Sequence, residues 1–366
     1  MLSSLFFLIS SLFALQAYGL GGRPYLTVRQ QKTESFSPND TFTHGPVIAE
    51  SFADPSIIKV GSTWWAFATS HDDINIQVAT SPDFQDWTKL DGFDALPTAG
   101  LPSWIDHNAP ITWAPDVNVL DDGSYLMYFS AATTKAVGGG LHCIGAATSK
   151  TVKGPYSPLN TTIACPIDQG GAIDAAGFKD WDQKGQGWGY QGGQRYVVYK
   201  IDGNTKGHGG ACGNTVQPIV ATPIVLLKVA ADGVTTQGES VVIFDNIGAP
   251  DQGIVEAPNI VKAPNGNYIL FYSSGCFATV NYTQGYAVAD KLTGPYTRQP
   301  ALYQSGDIVD GRALNGPGGG SCYWDAHHFL FHSGNPDSHN RGLWEALIDV
   351  IGDQIADGIP RNGSII

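Results

Sequence analysis

Short apolar runs recur along the chain, each broken by a turn signal and followed by a second run richer in aromatic residues. The clearest case is VEAPNIVKAPNGNYILFYSSG at residues 255–275, where Asn-Gly divides two β-like stretches. Such a pair of runs around Asn-Gly predicts a β-hairpin. ADPSIIKVGSTWWAFATS (53–70) and APDVNVLDDGSYLMYFSA (114–131) have the same form, with Gly-Ser and Asp-Gly turns. IDAAGFKD (173–180) and QRYVVYKID (194–202) repeat it around a Gly-rich insertion, and GSCYWDAHHFLFHSG (320–334) is a weaker fifth copy. Further strands follow: NIQVATS, CIGAATS, PIVLLKVA, YAVAD and LWEALIDV. Three of them lead into the related tails SPDFQDW, VKGPYSP and LTGPYTR. Self-similarity at a long period in an all-β chain predicts a propeller or solenoid. Five copies of a four-strand unit predict an all-β, five-bladed β-propeller.

The pattern is absent before Val47. Residues 1–19 read as a secretory signal peptide, with an apolar stretch Leu5–Leu15 too short to span a bilayer and a cut after Gly19. Residues 20–45 read as a polar leader with a short strand at Tyr25–Arg29, and 46–366 as the propeller. The insertion 181–217 reads as a rim loop, with cleft lining and filler both open. Sequons begin at Asn39, Asn160, Asn281 and Asn362, as in a glycosylated secreted protein.

Composition narrows the partners. The net charge of −13 argues against nucleic acid and anionic membranes. A monomer is expected. Five cysteines, Cys143, Cys165, Cys212, Cys276 and Cys322, suit disulfides in an oxidising compartment, and the odd number leaves one over. No Cys-x-x-Cys spacing suggests a zinc site, and no organic cofactor is expected.

The acids at the repeat starts carry the chemistry. In a propeller the innermost strands converge on one axis, so Asp54, Asp116, Asp174 and Glu256 are expected at a common central pocket. Converging acids repel, and glycoside hydrolysis uses such a set. One carboxylic acid protonates the leaving oxygen, and one carboxylate activates water or attacks the anomeric carbon. The alternative is that each acid caps a turn at its Asp-Pro start.

In order and spacing these motifs resemble glycoside hydrolase family 43, the five-bladed arabinanases, α-L-arabinofuranosidases and β-xylosidases, over about residues 46–360. The matches are Ala53-Asp54-Pro55, Trp113-Ala114-Pro115-Asp116, Ile173-Asp174, Glu256-Ala257-Pro258, the tail at 293–296, Arg341, and Asp357–Pro360. The resemblance implies Asp54 as general base and Glu256 as general acid. It implies that Asp174 orients Glu256 and keeps it protonated by like-charge repulsion. Trp113 and Phe52 would line the sugar subsite, with blade core as the other reading of Phe52. Asp116 matches the motif, with a structural role as the alternative, and Arg341 either reaches the pocket or closes the last blade.

One motif departs. Where many members have Gly-x-Gly-His-Gly-Ser, whose His helps to hold a central calcium ion or water cluster, this chain has Gly316-Pro317-Gly318-Gly319-Gly320-Ser321. The expected histidine is replaced by Gly319, which puts the calcium ion in question; His327 and His328 follow nearby. The implied function is an inverting, exo-acting glycosidase on arabinan, arabinoxylan or xylan. The alternatives are a non-catalytic sugar-binding propeller and a retaining propeller hydrolase of the fructan-cleaving type.

Overall fold

The structure is a computed structural model that describes residues 41–180, 193–334 and 340–359. These lie in one compact unit, Pro38–Ile366; the signal peptide, most of the leader, and the sequons at Asn39 and Asn362 fall outside the described residues. The first strand, β1 (Phe42–Ile48), belongs to the last blade. Blade one is β2 (Ser56–Val60), β3 (Thr63–Ala68), β4 (Gln77–Ser81) and β5 (Thr88–Lys89). Blade two is β6 (Trp113–Val119), β7 (Tyr125–Ala132), β8 (His142–Ser149) and β9 (Ser157–Pro158). Blade three is β10 (Ala172–Asp180), β11 (Gln194–Ile201), β12 (Ile224–Val229) and β13 (Val241–Phe244). Blade four is β14 (Val255–Lys262), β15 (Tyr268–Ser274), β16 (Thr283–Ala289) and β17 (Thr297–Arg298). A small hairpin, β18 (Ile308–Val309) with β19 (Arg312–Ala313), precedes blade five. That blade is β20 (Gly318–Cys322), β21 (His328–Gly334) and β22 (Arg341–Leu347), followed by the hairpin of β23 (Asp349–Ile351) and β24 (Gln354–Ala356).

Each blade is an antiparallel meander, and in blades one, two and four the first turn sits where the sequence places glycine. Gly61, Gly123 and Gly266 have φ of +63°, +81° and +93°, which glycine adopts without steric cost. Blade five completes its four strands with β1, paired antiparallel to β22 (Phe42 opposite Leu347). The sheet therefore begins at Phe42, inside the leader read from the sequence. The alternation that would have marked the strand is broken by Gly45-Pro46, and the register shifts between His44 and Ile48. Pairing the first strand with the last closes the ring and leaves no open junction between blades.

The core is divided among the gaps between blades. Separate apolar clusters join blades one and two (Phe67, Met127, Phe129), two and three (Leu126, Val197, Leu227), and three and four (Val198, Leu226, Leu270). The others join four and five (Phe271, Phe329, Phe331) and five and one (Phe52, Trp64, Leu330). Side chains alternate along a strand, so each blade supplies both faces.

Two disulfides pin the loops. Cys143–Cys165 lies in blade two, and Cys212–Cys276 ties the β11–β12 loop to the β15–β16 loop. Cys322 is buried and unbridged. The insertion divides accordingly. Residues 181–192 lie outside the described residues, and 203–217 form the disulfide-held loop that follows Lys200 and Ile201.

Candidate active site

The site is built by one irregularity repeated in every blade. Near the start of each innermost strand one residue has left-handed backbone: Asp54 (φ 51°), Ala114 (φ 42°), Asp174 (φ 58°), Ala257 (φ 49°) and Gly319 (φ 60°). In blades two to five the ladder shifts register there, between Trp113 and Asp116, Ile173 and Ala176, Glu256 and Asn259, and Gly318 and Ser321. Such a bulge re-aims a side chain, and left-handed non-glycine residues persist where their surroundings fix them. An axial pocket of about 40 Å³ is lined by these residues and by Ser56, Asp116, Ala176, Asn259 and Ser321, two positions further along each strand.

The four acids are thus not in one register. Asp54 and Asp174 are equivalent; Glu256 precedes that position by one residue, and Asp116 follows it by two. Asp116 lies along the axis beyond them, where its Oδ2 accepts from the Asn118 amide (2.6 Å) and the Gly177 N–H (2.8 Å). Burial pushes its carboxyl up to about 6 despite those bonds. Its contacts tie blade two to blade three, the structural alternative read from the sequence.

Asp54 is embedded in donors. Arg341 Nη1 lies 3.2 Å from its Oδ1, and the Thr69 hydroxyl donates to its Oδ2 at 2.6 Å. Its backbone N–H donates to His332 Nδ1 at 3.1 Å. Burial alone would raise the Asp54 carboxyl; Arg341 above all, with the Thr69 hydroxyl, holds it well below the usual carboxylate range. Asp54 is therefore ionised near neutrality. Arg341 also lies over the exposed Phe277 ring, 5.1 Å from its centroid. Arg341 thus meets Asp54 with its side chain while its backbone opens β22 of the last blade.

The Glu256 side is assembled differently. Glu256 Oε2 is 2.8 Å from Lys200 Nζ, and Oε1 accepts from the Tyr282 hydroxyl at 2.9 Å. Lys200 is fully buried and also meets Asp202 Oδ1 at 2.9 Å. Asp174 Oδ2 accepts the N–H of Ala257, the residue after Glu256, at 3.0 Å. Asp174 thereby holds the backbone that carries Glu256. Burial and then the Glu256 carboxylate push the Asp174 carboxyl well up. Asp174 and Glu256 thus crowd one another, with Lys200 Nζ turned to Glu256.

Trp113 is half-buried, with one face stacked on His142 at 3.7 Å between ring centroids. Phe52 is fully buried in the core between blades five and one, so it packs the blade instead of lining the subsite. His327 is buried against the Ile348 carbonyl and His328 pairs with Asp325, both at the end of β21 away from the pocket. The histidine at the site is His332. A Cβ at Gly319 would lie 2.6 Å from the His332 ring, so that imidazole occupies the space above Gly319. Among the described residues no group of three or more His, Cys, Asp or Glu side chains is arranged to hold a metal ion. Gly319 has no side chain to stand in for the histidine of the calcium-linked motif.

Sequence reading missed Lys200, Tyr282, Thr69, Ser130, Ser273 and His332. The signal was present: FATS, YFS, VYK, YSS and FHS recur near the ends of the second strands, and aligning them places Thr69, Ser130, Lys200, Ser273 and His332 in one column. A further cavity of about 500 Å³ lies beside blade four, lined by uncharged residues, the polar Gln252, Asn281, Thr283 and Gln304 among the apolar Pro250 and Val280. Asn281 and Asn160, two of the sequon residues, are exposed.

Comparisons with known proteins agree with this architecture. Residues 43–346 match the sequence profile of the glycosyl hydrolases family 43. A β-D-galactofuranosidase of Aspergillus niger is 27% identical over 298 residues, 76% of this chain and 73% of its own. An extracellular endo-α-(1→5)-L-arabinanase of Bacillus subtilis is 26% identical over 283 residues, 74% of this chain and 76% of its own. The crystal structure of a thermostable family-43 glycoside hydrolase superposes with a TM-score of 0.67 at 22% identity, covering 88% of this chain and 96% of that one.

Proposed function

The chain belongs to the glycosyl hydrolases family 43, and on that premise we propose that it is an inverting hydrolase of α-L-arabinofuranosyl or β-D-xylosyl linkages in arabinan, arabinoxylan or xylan. The observation that carries this reading is the electrical asymmetry of the axial ring. On one side Asp54 is held ionised by Arg341; on the other two acids, Asp174 and Glu256, crowd one another. In the proposed reaction Asp54 takes a proton from water as that water attacks the anomeric carbon. Glu256 gives its proton to the glycosidic oxygen as the carbon–oxygen bond breaks. Trp113 offers its free face to the sugar ring, and the neutral cavity beside blade four suits sugar hydroxyls.

Asp54 and Glu256 come from blades one and four, which are not neighbours in a five-blade ring, so they face each other across the axis. Inversion needs roughly 6.5–9.5 Å between the two carboxyl groups to admit a water, against ~5–5.5 Å for a covalent, retaining mechanism. Proton NMR of the nascent sugar, read before mutarotation, should show inverted configuration. Retention would instead favour the fructan-cleaving type, with Asp54 as nucleophile. The sugar is identified with aryl α-L-arabinofuranosides, β-D-xylosides and β-D-galactofuranosides, plus linear arabinan with products resolved by size. No turnover on any member, with binding retained, would point to the sugar-binding propeller.

The protein is proposed to act outside the cell. Two disulfides, the exposed sequons at Asn160 and Asn281, and the apolar segment at the start of the chain support this. N-terminal sequencing of the exported protein should begin at Leu20.

A further inference from the structure

At or just past the end of each second strand one side chain stands beside the left-handed residue: Thr69, Ser130, Lys200, Ser273 and His332 lie opposite Ala53, Trp113, Ile173, Glu256 and Gly318. Four of the five do the same thing. Each accepts the N–H of the left-handed residue one blade further on: Thr69 from Ala114 (3.0 Å), Ser130 from Asp174 (3.0 Å), Ser273 from Gly319 (2.8 Å) and His332 from Asp54 (3.1 Å). Lys200 breaks the series. A charged ammonium has no lone pair to accept with, so the Ala257 N–H turns to Asp174 Oδ2 and Lys200 Nζ turns to Glu256. The substitution falls at the junction that carries the proton donor.

We propose that Lys200 is a positioning residue for the general acid, fixing the Glu256 carboxyl and balancing the negative charge that it acquires as its proton leaves. The proposal rests on Glu256 being the acid of the proposed function. In that step the O–H bond of Glu256 breaks and a new O–H bond forms on the glycosidic oxygen. The electron pair of the broken carbon–oxygen bond stays on that oxygen. Glu256 gains one negative charge, and the Lys200 ammonium already stands 2.8 Å from its Oε2. A fixed charge aimed where charge develops needs no reorganisation during the reaction, and burial of Lys200 strengthens the attraction. Burial would strip the Lys200 proton, but Asp202 and the neighbouring acids outweigh it and keep the ammonium charged.

The test is the dependence of rate on the leaving group. Lys200→Met removes the charge and keeps the shape. Because it leaves Asp202 buried without its partner, the double variant Lys200→Met/Asp202→Asn is measured beside it. On aryl glycosides ordered by leaving-group basicity, both should lose ~10–100-fold in kcat with phenol-like leaving groups, which need the acid. The loss should shrink to a few-fold with dinitrophenolate, which does not. An equal loss across the series would mean that Lys200 only supports the fold, and no loss would remove it from the site. Glu256→Gln in the same series separates the two readings. A flat response there overturns Glu256 as the acid, and the proposal with it. A steep response with a flat Lys200→Met overturns Lys200 alone.

Discussion

Asp54 and Asp174 occupy the same position in blades one and three, with φ of 51° and 58°, yet their carboxyl groups shift in opposite directions. The repeat gives both the same backbone and the same approach to the axis. What differs is the neighbour. Asp54 meets the Arg341 guanidinium that begins β22, whereas Asp174 faces Glu256, whose nearby cation is engaged by Glu256 itself. Repetition therefore sets where an acid sits, and residues that break the repetition set whether it holds a proton. A propeller with five identical blades could build the pocket but could not separate a base from an acid.

The sharpest way to break this contrast is Asp54→Asn. The amide keeps the shape and the Thr69 contact but cannot take a proton, so kcat should fall roughly 10²–10⁴-fold. Circular dichroism and the thermal midpoint should stay close to those of the parent protein. Near-parental turnover would remove Asp54 from the mechanism and leave the contrast without a chemical meaning.

Asp174→Asn should give the next largest effect. Its amide oxygen can still accept the Ala257 N–H, so the backbone of Glu256 keeps its support. Two crowded acids share a proton up to higher pH than either would alone, and the titration belongs to the pair. With one charge removed, the alkaline limb of the kcat profile should move to lower pH, with a loss of about tenfold at neutrality. An unmoved alkaline limb in an active variant would confine Asp174 to holding the backbone.

Arg341→Gln tests the other half with a smaller change in rate. The guanidinium depresses the Asp54 carboxyl, so its loss lets that carboxyl rise and take up a proton at higher pH. Activity that needs ionised Asp54 would then fail sooner on acidification. The acid limb should move to higher pH while the alkaline limb stays in place. Movement of the alkaline limb instead would mean that Arg341 serves the acid side.

The fold was legible because strand, turn and tail recur with the same chemistry, and hairpins are local. The missing strand was β1, whose partner β22 lies at the other end of the sequence. The acids Asp54, Asp174 and Glu256 were legible because each opens an inner strand. The opposite shifts of Asp54 and Asp174 were not, since they depend on Arg341 and Glu256, which approach from different strands. Phe52 was misplaced by its neighbour: one residue before Ala53-Asp54, its side chain falls on the core face. His332 was passed over for His327 and His328 because adjacency in sequence drew attention to the wrong end of β21.

The smallest expected effect tests why Gly319 lacks a side chain. Backbone conformation is only part of the reason, because Ala114 and Ala257 bear the same left-handed φ at the equivalent positions. What differs is the space: a Cβ at Gly319 would lie 2.6 Å from the His332 ring and 2.8 Å from Asp54 Oδ1. Both groups are held, the ring by full burial and the carboxylate by Arg341 and Thr69. Gly319→Ala should therefore cost about 1–3 kcal/mol of stability through overpacking, read as a lower urea midpoint at unchanged slope. His332→Asn shortens the side chain yet keeps an acceptor for the Asp54 N–H. Combined with Gly319→Ala it should recover about 1 kcal/mol relative to the sum of the single changes, the coupling expected of two groups in contact. Additive costs would mean that the ring is not what keeps position 319 bare, and that the Asp54 carboxylate alone excludes the methyl group.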